Sequence, residues 1–526
     1  MTLLEQPPPN ASARDRLPFE LRWLGILIVA ISFLLGCLLL AMEAFVGIQN
    51  PYSTLIVYTF TPTGISIGVG LMVVGFLVHR HNLKINRAPR PLPVFDFNDR
   101  AFRSAVFAII IGATVFAAVS AVATYRAYHW AESNEFCGKV CHKVMRPEYE
   151  ALKNGAHSRL ACVTCHIGPG VDSFVAAKVN GLNQLYGVLS STYHLPIETP
   201  VKQLRDPKYI CEQCHTRARF EDSLQKVLWR FSYDRHNTPS RFDLIMKVGG
   251  VSPVTGELEG IHWHAQTRSE VWYWPRDERR LDIPYVEVRR DGKTTVYQDP
   301  SLTQAPPKEQ LRRMDCLDCH NRPAHPFRPP AMLVDQALAE EALDRKVPYL
   351  KRNAVEILSL EYKTTVEAKA RILEEVAKRY PLESGQMTPD QQQTTAGLLF
   401  QLYAKNNFPE QKVSWRAYPV HMGHRSFPGC ARCHDDRHKN AEGELIPRDC
   451  DTCHEFLRQS HGSDAYGVVP FVSRPFEHPA GSAARFDKDR LCNECHAPEL
   501  ELSPANAERR GPGGSLPAIT ETSTAP

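Results

Sequence analysis

The chain has 526 residues, enough for more than one domain. Its formal net charge of +4 is too small for a polyanion-binding surface, which leaves nucleic acid out as a partner. Its hydrophobic content of 43% is ordinary only as a mean: long apolar runs fill the N-terminal part, and the rest is polar and rich in Pro and charge.

In chain order, the first elements are three apolar runs: 21–46 (LRWLGILIVAISFLLGCLLLAMEAFV), 53–78 (STLIVYTFTPTGISIGVGLMVVGFLV) and 104–125 (SAVFAIIIGATVFAAVSAVATY). A helix needs about 20 apolar residues to cross a hydrocarbon core, and each run supplies them. Runs this long and nearly free of charge predict membrane helices rather than buried core helices. Pro62 and Gly64 predict a kink in the second, which neighbouring helices tolerate. Basic residues set the orientation. Arg14, Arg16 and Arg22 belong to the N-terminal tail, and Arg80, Lys84, Arg87, Arg90 and Arg100 separate the second and third runs. Both segments are expected in the cytoplasm, and the uncharged GIQNPY loop and everything after Tyr128 outside it. A first run too long for a signal peptide, followed by two more, argues against cleavage. The expected location is the bacterial inner membrane, multi-pass, with the polar region in the periplasm. Cys37 falls in mid-run and reads as a packing residue.

The other fourteen of the fifteen cysteines form seven pairs, each followed at once by His. They are CGKVCH (Cys137, Cys141, His142), CVTCH (Cys162, Cys165, His166), CEQCH (Cys211, Cys214, His215) and CLDCH (Cys316, Cys319, His320), then CARCH (Cys430, Cys433, His434), CDTCH (Cys450, Cys453, His454) and CNECH (Cys492, Cys495, His496). Two thiols at this spacing add to the two vinyl groups of one haem, and the His after the second Cys reaches the iron from one side. Zinc sites rarely place a His after the second Cys every time, and disulfides need no His. Seven covalently bound haem c groups are therefore expected. The first motif has one residue too many between its cysteines, and Met145 follows His142 by three. Met145 is a candidate ligand, either opposite His142 or in its place.

Each iron also needs a second axial ligand or an open site. Beyond the seven motif histidines, twelve more follow residue 128, so supply exceeds demand and mostly closed, bis-His, electron-transfer haems are expected. His157 lies five residues before Cys162, His325 five after His320, and His438 four after His434; all three are candidate ligands. Of His421 and His424, one is expected as a ligand, with His424 chosen and the other at the surface. His262 and His264 alternate on a predicted strand and so share a face; His264 is chosen, for the third haem. His461 and His478 are candidates for the last two haems. His79, His81 and His129, near membrane ends, read as solvated.

Further along, EVWYW and YVEVRRDGKTTVYQ predict strands, with Asp291-Gly292 as a hairpin turn. Residues 331–380 predict helices ended by Pro381. The segment 171–191 has apolar residues at helical spacing, which predicts an amphipathic helix, packed in a core or lying at the membrane surface. The predicted fold class is three transmembrane α-helices plus a mostly α or irregular multihaem periplasmic region with a small β-containing insertion. The predicted divisions are a cytoplasmic tail (1–20), a membrane anchor (21–128) and a tetrahaem domain (129–330) with the β insertion at about 216–315. A helical connector (331–415), a trihaem domain (416–500) and a disordered tail (501–526) follow.

The stretch FCGKVCHKVMRPEYEALKNGAHSRLACVTCHIGPG after a membrane run, together with CLDCHNRPAH, resembles the NapC/NirT family of membrane-anchored multihaem quinol dehydrogenases over roughly 104–325. Three spans and seven motifs are similar in architecture to the seven-haem inner-membrane cytochromes of metal-reducing bacteria. The resemblance implies a first haem nearest the membrane, beside a quinol pocket, with Met145 as a ligand. It implies that His157 ligates the fourth haem and His325 the second, and that Lys178 lines the quinol site. The acid that usually follows that Lys is unmatched, with Asn183 and Gln184 in its place.

The expected function is quinol oxidation at the outer membrane face, with electrons leaving through the haems to periplasmic c-type cytochromes or reductases. The membrane quinone pool and the lipid bilayer are the other expected partners. A positioned side chain should help the quinol proton leave; Lys178, Lys143, Glu132, Glu135 and Glu148 are the candidates, each glutamate alone reading first as a solvated charge. The competing readings are a terminal reductase of a nitrogen or sulfur oxyanion and a passive relay subunit of a larger quinol enzyme.

Overall fold

The computed structural model describes residues 13–46, 51–84, 97–168, 170–199, 204–216, 222–250, 260–265, 269–468, 472–478 and 491–493. The expected disordered tail, and Cys495 and His496 of the seventh motif, lie outside the described residues. The chain divides into two units, 1–136 with 161–185 and 137–160 with 186–526.

The first unit is built on α1 (Ala13–Val46), α2 (Pro51–Lys84) and α3 (Arg100–Ala131). Each contains a stretch long and apolar enough to cross a membrane: Leu21–Leu38, Thr61–Val78 and Phe102–Ala131. Pro62 lies inside α2 without ending it. Small residues let α1 and α2 approach closely, the packing device of helices in lipid. A Cβ on Gly25 would stand 2.5 Å from the Gly68 carbonyl oxygen, and one on Gly68 2.7 Å from that of Gly25. Phe33, Leu77, Phe107, Ile111 and Phe116 are exposed, an apolar surface suited to contact with lipid. Tyr125 and Trp130, also exposed, mark the C-terminal end of α3 with the aromatic residues typical of a membrane–water boundary.

A π-helical turn (Phe136–Val140) and α4 (His142–Lys153) carry the chain into the second unit, and α5 (Cys162–His166) and α6 (Val171–Ser190) belong to the first up to residue 185. Gly170, at φ 104°, makes the turn between α5 and α6. Val175, Val179, Leu182 and Leu185 of α6 are exposed, so this face is not packed into a core among the described residues.

In the second unit, α7 (Pro207–Ile210) precedes an antiparallel pair, β1 (Asp222–Phe231) and β2 (Pro239–Gly249). A second sheet, in the order β5-β4-β3-β6, is formed by β3 (Ser269–Trp274), β4 (Tyr285–Arg290), β5 (Lys293–Gln298) and β6 (Arg312–Arg313). The β4–β5 turn is at Asp291-Gly292, both at positive φ (49° and 78°), which is the hairpin its sequence predicts. After α8 (Cys316–Cys319) come α9 (Pro330–Ala339), α10 (Leu350–Ser359), α11 (Thr365–Arg379) and α12 (Pro389–Ala404). Their buried faces form the largest apolar core, with Leu338, Leu350, Ile357, Ile372, Val376 and Leu399 at its centre. Finally, β7 (His454–His461) joins β2 to complete the first sheet. Three apolar helices, a helical and irregular remainder and small sheets make up the fold class the sequence predicts.

One local prediction fails. Residues 261–265 are not a strand but a 3-10 helix, Ile261–Ala265. At about three residues per turn, His262 and His264 point in different directions rather than sharing a face.

Candidate functional site

The first motif explains its own extra residue. Phe136–Val140 forms a π turn, whose wider loop takes up one residue more than an α turn. Gly138 within it is buried against the Tyr149 ring, and a Cβ there would collide with the ring. α4 starts at His142, whose side chain, like that of Lys143, lies outside the described residues. Met145 is half-buried, one turn further on. Residues three apart share a helix face. The backbone of α4 thus places positions 142 and 145 on one side of the helix.

Four other motif histidines each face a second imidazole. His157 and His215 have ring centres 6.0 Å apart, His262 and His320 6.2 Å, His264 and His434 5.9 Å, and His424 and His454 6.2 Å. A ring nitrogen sits about 2 Å from a bound metal and the ring centre about 1 Å beyond, so two imidazoles on opposite sides of one iron have centres about 6 Å apart. All four pairs match that span. Hydrogen bonds orient the rings in the manner of metal-bound histidines, Nδ1 to a backbone carbonyl. His157 Nδ1 lies 3.1 Å from Pro323 O, His262 Nδ1 2.9 Å from Val248 O, His264 Nδ1 2.8 Å from Ile261 O and His434 Nδ1 2.6 Å from Pro447 O. Burial lowers the pKa of His264, His320, His424 and His454, favouring the neutral form that iron requires. These residues fit haem c.

The partners differ in part from those expected. His157 faces the third motif, not the fourth, and His264 the fifth, not the third. His262, passed over in favour of His264, faces the fourth. The strand assumption allowed one of the two a role; the 3-10 turn gives each its own motif. His438, expected as a ligand, is buried with both nitrogens engaged, Nδ1 at 2.9 Å from Asp435 Oδ1 and Nε2 at 2.7 Å from Ile283 O. Both partners are acceptors, and although burial disfavours the charged ring, the Asp435 carboxylate raises its pKa, so both nitrogens are already engaged within the protein. His421, expected at the surface, is buried between Asp318 O at 3.1 Å and Arg279 O at 3.0 Å, and burial pushes its pKa down to about 4. His325 Nδ1 lies 3.0 Å from Glu148 O, the orientation of the paired rings. His461 Nδ1 lies 2.7 Å from Ser240 Oγ, and His478 packs edge-on to Phe476. His166 is exposed at the end of α5.

Neighbouring cysteines string the later motifs together. Cys211 of the third motif hydrogen-bonds Cys316 of the fourth. Burial pushes the Cys319 thiol up to about 12, with Cys430 of the fifth beside it. Cys453 of the sixth, held by burial at about 11, also has Cys430 as a neighbour, and Cys450 has Cys492 of the seventh. Centred on a residue inside the fourth motif is a charge cluster that the spacing of cysteines does not announce. Asp318 accepts from Tyr273 Oη and Arg280 Nη1, both at 2.6 Å, and from Arg312 Nε at 2.9 Å.

In the first unit, Lys178 on α6 stands 3.8 Å from Glu132 Oε1 and 4.8 Å over the Phe174 ring. Glu135 is exposed, and Glu148 is clamped through both oxygens by Arg322 Nη2 at 3.2 Å. Asn183 and Gln184 are exposed on α6.

Residues 100–228 match the model of the NapC/NirT cytochrome c family, N-terminal region. The chain is 37% identical over 501 residues to the cytochrome c-type protein ImcH of Geobacter sulfurreducens, covering 93% of this chain and 96% of the relative. No solved structure matches. With three membrane-capable helices and repeated attachment motifs, these likenesses describe a membrane-anchored multihaem electron-transfer cytochrome carrying covalently bound haem c. The chain belongs to the NapC/NirT cytochrome c family.

Proposed function

We propose that this protein oxidises quinol at the periplasmic face of the inner membrane and delivers the electrons to periplasmic c-type cytochromes or reductases through seven haem c groups. The observation that carries the reading is the run of four facing imidazole pairs, on motifs whose cysteines are neighbours. At these four motifs paired imidazoles would hold an iron from both sides, which suits electron transfer rather than oxyanion binding there. The third to sixth haems would be held by His157 with His215, His262 with His320, His264 with His434 and His424 with His454. His166 and His496 are the motif ligands of the second and seventh haems, and His142 or Met145 serves the first. His325, His461 and His478 are the further residues that would serve as ligands. Bound haem iron supplies one-electron acceptance; the protein supplies ligands, spacing and charge.

For quinol, the supporting feature is the Lys178–Glu132 pair where α3 ends. The helix that carries Lys178 presents apolar side chains outward, a surface suited to contact with lipid and a lipid-soluble substrate. The division into a tetrahaem part (129–330), a helical connector (331–415) and a trihaem part (416–500) belongs to this reading, with the last part as the exit.

The test is the purified full chain in lipid nanodiscs, mixed anaerobically with duroquinol while the haem bands are followed. Reduction of seven haems per polypeptide, counted by mass and by pyridine haemochrome, is the expected result. Haems that stay oxidised with quinol but reduce with dithionite would sink the quinol step, and a different stoichiometry would sink the count.

A further inference from the structure

We propose that Glu132 is the proton acceptor of quinol oxidation, with Lys178 as its partner. The inference rests on the quinol reading above and names the residue that completes it. Quinol oxidation yields the quinone, two electrons and two protons. The electrons reduce two ferric haem irons in succession, and the protons need a base on the way to water. In a site bounded by lipid that base must be fixed in place, because water cannot be counted on to reach the hydroxyl.

Three glutamates lie near the first motif in the chain, and the structure separates them. Glu135 is exposed. Glu148 has both oxygens bonded to Arg322, with His325 Nδ1 3.5 Å from Oε2, so its carboxylate already has a charged partner in hydrogen-bond contact. Glu132 differs from both. Its side chain is 15% exposed, and among the described residues its Oε1 is buried and takes part in no hydrogen bond. That oxygen faces Lys178 Nζ at 3.8 Å, close enough for charge attraction but too far for a hydrogen bond. A buried carboxylate oxygen without a donor is unfavourable, and that cost is recovered when it takes a proton or a hydroxyl donor.

The setting fits a lipid-borne aromatic diol. Glu132 directly follows α3, the third membrane-capable helix, and Tyr128 one turn earlier packs near the Phe174 ring, 6.4 Å between centres. Lys178 lies over the same Phe174 ring and is 44% exposed. Asn134, two residues after Glu132, accepts from Cys162 N at 2.7 Å, which fixes this segment to the second motif. The carboxylate thus sits on a rigid join between a membrane helix and a haem-attachment site. In the proposed step one quinol hydroxyl proton passes to Glu132 and then to the aqueous side past the exposed Lys178; the second proton follows the same route after the first has left.

The experiment compares wild type, Glu132→Gln, Lys178→Met and Glu135→Gln in nanodiscs, each checked for full haem content and for normal reduction by dithionite. The expected result is a fall of about 100-fold in duroquinol-driven haem reduction for Glu132→Gln. Glu135→Gln should behave as wild type. Redox-difference infrared spectra supply a readout independent of rate: a carboxyl band present in wild type and absent in Glu132→Gln, and displaced in Lys178→Met. Wild-type rates in Glu132→Gln, or an unchanged carboxyl band, would overturn the assignment while leaving quinol oxidation standing. A wild-type protein that duroquinol does not reduce would instead overturn the reading beneath it.

Discussion

Arg432, inside the fifth motif, donates from Nη2 to the backbone carbonyl of Asp318, inside the fourth, at 2.9 Å. Its Nη1 reaches Arg280 O at 2.9 Å and its Nε Gly429 O at 2.7 Å, so one buried guanidinium ties two attachment loops together through carbonyls alone. Its positive charge should favour the reduced state of the groups attached on either side. In Arg432→Gln, one or two of the haem potentials should fall by several tens of mV, from a unit charge at roughly 10 Å in an effective dielectric of about 20. Spectroelectrochemical titration reads the shift. Unchanged potentials would mean that the residue only packs.

The histidine pairing predicts a sharp contrast between neighbours. His264→Met should convert one bis-His centre to His/Met and raise its potential, leaving the others in place. His438→Asn should leave every haem spectrum as it was and lower thermal stability through loss of the Asp435 pair, by about 1–3 kcal/mol. A change of low-spin spectrum in His438→Asn would contradict the pairing.

Ring twist separates the pairs into two classes. His262–His320 and His424–His454 are near parallel, at 5° and 20°, whereas His157–His215 and His264–His434 are near perpendicular, at 81° and 74°. Perpendicular axial imidazoles give strongly anisotropic low-spin ferric signals, and parallel ones give rhombic signals. Electron paramagnetic resonance of the oxidised protein should show both, and His264→Met should diminish the anisotropic class alone.

The haem-free helical core carries its own pH dependence. Lys351 Nζ is buried 2.7 Å from Asp335 Oδ1, and burial pushes its pKa down to about 8. The folded state then binds fewer protons than the unfolded state between about 8 and the ordinary value of 10.5, so stability linked to this group rises with pH across that window. Wild type measured against Lys351→Met should gain stability from about pH 8 upward. Near neutral pH, Lys351→Met should still cost about 3 kcal/mol, because Asp335 loses its closest cation and keeps Arg425 at 3.3 Å and Arg230 at 3.9 Å. Chemical denaturation at stepped pH reads both.

At the first motif, Gly138→Ala should lower haem loading by one group per chain, because the added methyl meets the Tyr149 ring inside the π turn. Intact mass of the purified variant checks it, and wild-type loading would show that the turn has slack.

The membrane helices, the β4–β5 hairpin and the attachment motifs were legible because each has a local signature: a long apolar run, Asp-Gly between alternating strands, Cys pairs before His. Which histidine faces which motif was not. His157 and His215 meet across 58 residues of chain and His264 and His434 across 170, so spacing holds no information about the encounter. Alternation in GIHWHAQ imitates a strand, and the 3-10 turn instead gives His262 and His264 a separate motif each. His438 looked like a ligand by its distance from His434, but only its surroundings reveal the Asp435 and Ile283 acceptors. Glu132 was one of several glutamates until burial and Lys178 distinguished it.

The central claim is tested most directly in lipid vesicles carrying the full-length protein, with menaquinol in the bilayer and a soluble ferric c-type cytochrome outside. The account predicts reduction of the external cytochrome at two electrons per quinol, absent from protein-free vesicles and slowed by Glu132→Gln. External cytochrome that stays ferric, while dithionite still reduces the protein's own haems, would contradict it.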